Sequence, residues 1–279
     1  MNETDLEEKI IIAIDHGTSG MKVALITAKG KVIDWTFREV ELLLPGPNAA
    51  EQDPNEWWDN FLDASKELLS KHEDLKDKIV AVSNTSQWSG TVALDKNGNA
   101  LMNCMIWMDT RGAPQMKRLH KSVLQVSGYS LFKILKWIKR TGGGPTLSGK
   151  DSISHILWIK EEKPEIYEKT YKFLEPQDYI NYKLTGKFAS SYATVHMLWL
   201  TDIRDIKNIT YSDKLIKILK IDKDKLPLDL GWSSDVLGNI KKDLADELGL
   251  SKEIKVVRGA PDLHAAAVGS GAVLDYEGH

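Results

Sequence analysis

The apolar positions of this chain change period several times, and each change marks an element. Residues 10–14 form a nearly continuous apolar run, the pattern of a strand buried on both faces, and residues 23–27 form a second β-prone run. Between them lies Asp15-His16-Gly17-Thr18-Ser19-Gly20, a turn of small residues, so the stretch predicts a hairpin. Gly30 marks another turn, and residues 31–35 predict a third strand. Beyond Pro45, Gly46 and Pro47 the period becomes helical, with Trp57, Phe61, Leu62, Leu68 and Leu69 on one stripe. Asp53 as N-cap, Pro54 at the first helical position and Glu56 closing a capping box set its start; it runs to about Lys71. Residues 79–83 read as a buried strand. Residues 91–94 and 101–107 read as the arms of a hairpin around Asp95-Lys96-Asn97-Gly98-Asn99.

From Arg111 to about Glu168 the pattern is mainly helical, broken at Gly142-Gly143-Gly144-Pro145 and at Pro164. The glycine triplet predicts a flexible connector rather than a phosphate cradle, because no strand feeds it and no Lys-Ser/Thr pair follows. Lys133, Lys136, Lys139 and Arg140, interleaved with Phe132, Leu135 and Ile138, predict a solvated helix face. Helices follow at residues 177–184, 212–220 and 241–248. A short strand at 255–257 enters Arg258-Gly259-Ala260-Pro261-Asp262, a loop opening a helix of small residues. Meander, helix, strand and hairpin make an α/β domain with a mixed sheet.

Composition narrows the functional classes. With 279 residues, 42% hydrophobic and 28% charged, the chain suits one large domain or two smaller ones. A net charge of −3 argues against a nucleic-acid-coating protein, and no apolar run reaches the roughly 20 residues that span a bilayer. The acidic start lacks a signal-peptide pattern, and the single Cys104 excludes an internal disulfide and a cysteine-cluster metal site. A cytoplasmic protein is expected. Glu277-Gly278-His279 reads as the start of a purification tag.

Three carboxylates stand at strand ends or loop mouths, where ligands of α/β sheets gather: Asp15, Asp109 and Asp262. The hairpin of Asp15 can bring backbone N–H groups and two hydroxyls to an anion, with the aspartate holding a hydrated metal ion beside it. It reads equally as an ordinary hairpin whose Asp15 and Thr18 satisfy turn hydrogen bonds. Asp262 could take the proton of a substrate hydroxyl in phosphoryl transfer, or simply cap the helix that follows it. Gln87-Trp88-Ser89-Gly90 and Trp107-Met108-Asp109-Thr110-Arg111 each set an apolar ring beside hydrogen-bonding groups, as a sugar or polyol requires; each is also compatible with a core tryptophan beside a surface turn.

Taken in order, IAIDHGTSGMKVALI, EQDPNEWW, SNTSQWSGTVALD, MIWMDTR, FLEPQDYINYKLTGKFASSYA and RGAPDLHAAAVGSG resemble the motifs of the FGGY carbohydrate kinases, nearest to the xylulokinase branch. The resemblance implies an actin-like, ribonuclease H-like α/β core with helical insertions. It also implies phosphorylation of a sugar or polyol, a ketopentose such as xylulose leading, by ATP with Mg²⁺. By the same resemblance Asp262 is the catalytic base and also meets substrate, Asp15 lies at the Mg²⁺–phosphate site, and Gly17, Thr18 and Ser19 lie on the phosphate-facing turn. Gln87, Trp88, Ser89, Trp107 and Asp109 fall on or near sugar-contacting positions. The partner implied is a small molecule, without nucleic acid or membrane; a homodimer is compatible with the reading. Residues 1–258 would be the sugar-binding lobe and 259–276 the start of a nucleotide-binding lobe, so this chain alone is expected to have little or no kinase activity.

The chain departs from the pattern at three places. Trp88-Ser89 stands where xylulokinases show Met-His and glycerol kinases Arg-Glu; Leu263 replaces a polar residue; His155 stands where lysine is usual. A non-catalytic sugar sensor of the same fold, or a nucleotide-driven interaction protein of the actin or Hsp70 type, are the rival readings.

Overall fold

The structure, a computed structural model, describes residues 8–271. The tag-like residues 277–279 lie outside that range. Six strands form the central sheet: β1 (Ile10–His16), β2 (Gly20–Thr27), β3 (Val32–Glu39), β4 (Ile79–Ser86), β5 (Val236–Asn239) and β6 (Lys255–Pro261). Their order is β5-β6-β4-β1-β2-β3. The β1-β2-β3 meander is antiparallel, β1 and β6 both run parallel to β4, and β5 closes the edge antiparallel to β6. The mixed sheet expected from the sequence is therefore present.

Helix α1 (Pro54–Lys71) covers one face of the meander, burying Trp57, Phe61, Ala64 and Leu68 against Ile10, Ile12, Ile14, Met21, Val23 and Leu25. The strand of residues 10–14 is not buried on both faces as its unbroken apolar run suggested: Ile10, Ile12 and Ile14 are enclosed, whereas Ile11 and Ala13 are only half-buried. Asp53 caps α1 through the Asn55 N–H at 2.8 Å. The capping box does not close, because Glu56 instead accepts the Glu41 N–H at 3.1 Å and so ties the incoming loop to the helix.

The expected hairpin of residues 91–107 is looser than predicted. Its turn is made, with Asp95 accepting the N–H groups of Asn97 and Asn99. Its arms, however, pair elsewhere: Val92–Leu94 with Lys172–Leu174, and Cys104–Met105 with Glu51–Gln52, leaving isolated bridges between them. Tertiary partners outcompete the local arm.

A second core lies among the helices inserted between β4 and β5. It gathers Met116, Trp137, Ile153, Ile156, Ile159, Phe173, Leu200 and Leu215. Two of these helices reach the site, α2 (Ser152–Glu162) and α3 (Pro176–Thr185). The helical stretch expected over residues 111–168 also contains a small hairpin, Gln125–Val126 with Tyr129–Ser130. Within Leu131–Thr141 the solvated face is only partly as expected, since Lys136 and Lys139 are exposed but Arg140 is buried. Gly142 ends that helix with φ of 73°, and a side chain on Gly143 would meet the Trp199 ring at 2.8 Å, so the triplet is a packed cap. No helix among the described residues is long and apolar enough to cross a membrane.

Candidate functional site

Three parallel strands end side by side, and their register places the candidate residues. Asp15 pairs with Thr85 and Thr85 with Ala260; one row on, His16, Ser86 and Pro261 line up. The residues that follow are Gly17, Gln87 and Asp262, which open the hairpin turn, the loop 87–90 and helix α4 (Asp262–Gly269). Adjacent strands are roughly 4.8 Å apart, so the turn and Asp262 face each other across about 10 Å, with the loop between them. This is the carboxyl edge of the sheet, where α/β folds bind ligands.

A bulge in β6 sets where Asp262 falls. The pairing of β6 with β4 shifts between Val257 and Ala260. Gly259 sits in the shift with φ of 75°, and a Cβ there would lie 2.0 Å from the Asn84 carbonyl oxygen. Only glycine takes that conformation against that wall. From α3, Gln177 and Asn181 both donate to the Arg258 carbonyl, at 2.5 and 2.7 Å, and pin the bulge. Thr85 donates to the Ala260 carbonyl at 2.7 Å.

Asp262 is the first residue of α4 and Pro261 its N-cap, so the aspartate is not spent as a cap. Burial raises its pKa and the nearby charge of Asp15 adds to the rise, against the Leu263 N–H and His264, which lower it. The result is a half-buried carboxylate more basic than usual, as a proton acceptor requires. Leu263, which departs from the family pattern, is 64% exposed and adds no polar group there.

The hairpin turn and the two tryptophan segments are one hydrogen-bonded unit. Thr18 Oγ1 accepts from the Trp107 indole N–H at 2.9 Å and donates to Gln87 Oε1 at 3.1 Å. Gln52 Nε2 donates to the Thr18 carbonyl at 2.7 Å, and Gln87 Nε2 donates to Gln52 Oε1 at 2.7 Å. The Thr18 hydroxyl is therefore engaged with protein, which corrects the expectation that both turn hydroxyls face an anion. The Gly17 N–H is also taken, by the Gly20 carbonyl at 3.0 Å. Ser19 is the exposed member of the three. Gln52 was not singled out from the sequence. Its signal was its place in EQDPNEWW, yet that it bridges Thr18 and Gln87 depends on the pairing of Glu51–Gln52 with Cys104–Met105.

The expected sugar-contacting residues divide in two. Trp88 and Trp107 are half-buried, and Lys150 stands 5.7 Å from the Trp107 ring centre. Gln87, Ser89 and Asp109 are 2%, 0% and 0% exposed, so they shape the site from behind. Asp109 accepts the Ala50 N–H, the Arg111 N–H and the Arg111 Nε at 3.0, 2.9 and 2.9 Å. Arg111 continues to Glu51 at 2.5 Å and stacks 4.4 Å above the Trp158 ring. Ser89 holds φ of 55°, a conformation rare for a residue with a Cβ, and its buried hydroxyl has no partner among the described residues. His155, in place of the usual lysine, is buried between Thr91 Oγ1 and the Asp109 carbonyl at 3.1 and 3.2 Å, and burial lowers its pKa.

Asp15, next to last in β1, has a 43% exposed side chain that takes the Lys22 ammonium at 2.9 Å. No cluster of three or more His, Cys, Asp or Glu that could hold a metal occurs among the described residues. One exposed carboxylate beside a turn fits a Mg²⁺ ion held mainly by water and phosphate oxygens. Beside it, His16 is buried 4.4 Å from the Trp57 ring, and burial pushes its pKa down to about 3, so it is neutral.

Residues 10–269 match the FGGY family of carbohydrate kinases, N-terminal domain. The chain is 31% identical to the xylulose kinase of Bacillus subtilis over 263 residues, covering 94% of this chain and 50% of that protein. It is 29% identical to the xylulose kinase of Staphylococcus epidermidis, covering 96% of this chain and 50% of the relative. The chain thus spans about half the length of the curated relatives it matches. The xylulose kinase structure from Rhodospirillum rubrum superposes with a TM-score of 0.84 at 23% identity, covering 95% of this chain and 51% of that one, a likeness of fold.

Proposed function

The chain belongs to the FGGY family of carbohydrate kinases, and from that premise we propose that the whole protein transfers the γ-phosphoryl group of ATP to a hydroxyl of a sugar or polyol, a ketopentose such as xylulose being the substrate. The observation that carries this reading is the bulge at Gly259, after which a basic, half-buried Asp262 follows β6 beside the loop 87–90. Asp262 takes the proton of the attacking hydroxyl as the oxygen–phosphorus bond forms and ADP leaves. Trp88 and Trp107 supply ring faces for the carbon skeleton. Thr18, bonded to both Trp107 and Gln87, ties the phosphate-side turn to the sugar side, so the two reactants are held in register. Asp15 would hold Mg²⁺, which neutralises charge on the phosphates when bound.

The test is ADP release by the full-length protein with Mg²⁺ against ketopentoses, polyols and aldonic acids. One sugar should raise turnover well above the rate without sugar. Asp262→Asn should then lower kcat by about 10²–10⁴-fold, the usual worth of a positioned base. No stimulation by any sugar would overturn the kinase reading; unchanged turnover in Asp262→Asn would overturn the base.

A further inference from the structure

Glu175 is buried at the N-cap of α3, a place where a helix start ordinarily puts a small polar side chain. Its carboxyl instead reaches the loop between the two candidate tryptophans. Oε2 accepts the Gly90 N–H at 3.0 Å, Oε1 hydrogen-bonds the Ser152 hydroxyl, and that hydroxyl donates to the Gly90 carbonyl at 3.2 Å. Gly90 is held by both of its backbone groups. It is also tightly walled, since a Cβ there would meet Pro176 at 2.4 Å and the Cys104 sulfur at 3.2 Å. The residue before it is Ser89, in its left-handed conformation.

Counting protons decides the state of the ring. Ser152 has one hydroxyl proton. If Glu175 is ionised, that proton must serve either the carboxylate or the Gly90 carbonyl, and one acceptor goes without. If Glu175 is protonated, its O–H donates to Ser152, Ser152 donates to the Gly90 carbonyl, and the Gly90 N–H donates to the carbonyl oxygen of Glu175. All three groups are then satisfied in a closed ring, the arrangement a buried site favours.

We propose that Glu175 is a positioning residue for substrate, acting as a neutral acid that locks Gly90 and so holds the loop of Trp88 and Ser89. The idea rests on the kinase reading for its functional half only. The groups around Glu175 are consistent with neutrality: Asp178 one turn along α3, Asp151 before α2, the Cys104 thiol and the Tyr211 phenol all interact with it as acids. Burial pushes its carboxyl up to about 8; Asp178 and Asp151 add to this, and the hydrogen bonds of Ser152 and Gly90 oppose it.

In the full-length enzyme, Glu175→Gln can rebuild the ring, its amide donating to Ser152 and its oxygen accepting from Gly90. It should leave the xylulose KM near that of the parent at neutral pH. It should also reduce the parent's loss of kcat/KM as pH passes about 8, the remainder belonging to the neighbouring Asp178 and being removed by adding Asp178→Asn. Glu175→Leu should raise the xylulose KM about tenfold or more, leave the ATP KM unchanged, and speed hydrogen exchange at the Gly90 amide by a similar factor, as losing a buried hydrogen-bond partner does. A parent-like Glu175→Leu, or an alkaline decline in Glu175→Gln identical to the parent's, would overturn the proposal. If Glu175→Leu fails to fold, the Gln pH profile still decides. If the parent shows no sugar-dependent turnover, the kinase reading has failed, and Gly90 exchange decides alone: no acceleration in the variant refutes the lock.

Discussion

Replacing Asp109 by asparagine separates a buried structural role from a sugar contact. The carboxylate is wholly enclosed and accepts from the Ala50 N–H, the Arg111 N–H and the Arg111 side chain. An asparagine keeps one oxygen, so its amide donors must face groups that are donors themselves. Removing one member of a buried ion pair costs about 3–5 kcal/mol. Arg111 retains Glu51 at 2.5 Å, which favours the lower end, so about 3 kcal/mol is expected. At an m-value of about 3 kcal/mol/M, that loss moves the urea midpoint down by about 1 M. The assay is urea unfolding of this chain followed by tryptophan fluorescence, alongside the sugar KM of the full-length enzyme. A midpoint within about 0.2 M of the parent, with a KM raised tenfold or more, would refute the structural account and make Asp109 a substrate ligand.

Two further outcomes follow from burial and backbone geometry. Burial raises the carboxyls of Glu175 and Asp178 from 4.5 and 3.8 to about 8, and lowers the imidazoles of His16 and His120 from 6.5 to about 3 and about 4. As pH rises above 6.5 the histidines become mostly neutral in both states, while the two acids are ionised when unfolded and, up to about pH 8, mostly protonated when folded. The folded state then holds more protons, so stability falls as pH rises through this window. Thermal melts should show that decline, and Glu175→Gln with Asp178→Asn should flatten it; an unchanged slope would refute the protonated pair. Gly259→Ala places a Cβ 2.0 Å from the Asn84 carbonyl at φ of 75°, and should lower kcat far more than it alters the sugar KM. A parent-like kcat would show that the bulge does not aim Asp262.

The hairpin and α1 were legible because their signals are local: an apolar run, and a cap with a following proline. The final strand was legible only over residues 255–257; residues 258–261, expected as loop, continue it to Pro261 through the bulge at Gly259. Boundaries failed where tertiary pairing takes over. The residues 101–107 arm leaves its Asn-Gly hairpin to pair with Glu51–Gln52, and that swap is what carries Gln52 to Thr18 and Gln87. The same limit applies at the site. The sequence pointed to Thr18 and Asp109 by residue type, but which way each spends its polar atoms depends on Trp107 and Ala50, 89 and 59 residues away. Glu175 carried no signal at all, since its charge at a helix start reads as ordinary surface chemistry.

Helix α3 touches the loop 87–90 through Glu175 and the Asp262 strand through Gln177 and Asn181. Both sets of contacts come from one rigid rod, so α3 gauges the gap between the two. Anyone exchanging the loop 87–90 between relatives therefore inherits a calibration problem: a foreign loop arrives cut to another gauge. Grafts that carry the donor's α3 along with its loop should transplant specificity, and loop-only grafts should yield enzymes that bind the new sugar and phosphorylate it poorly.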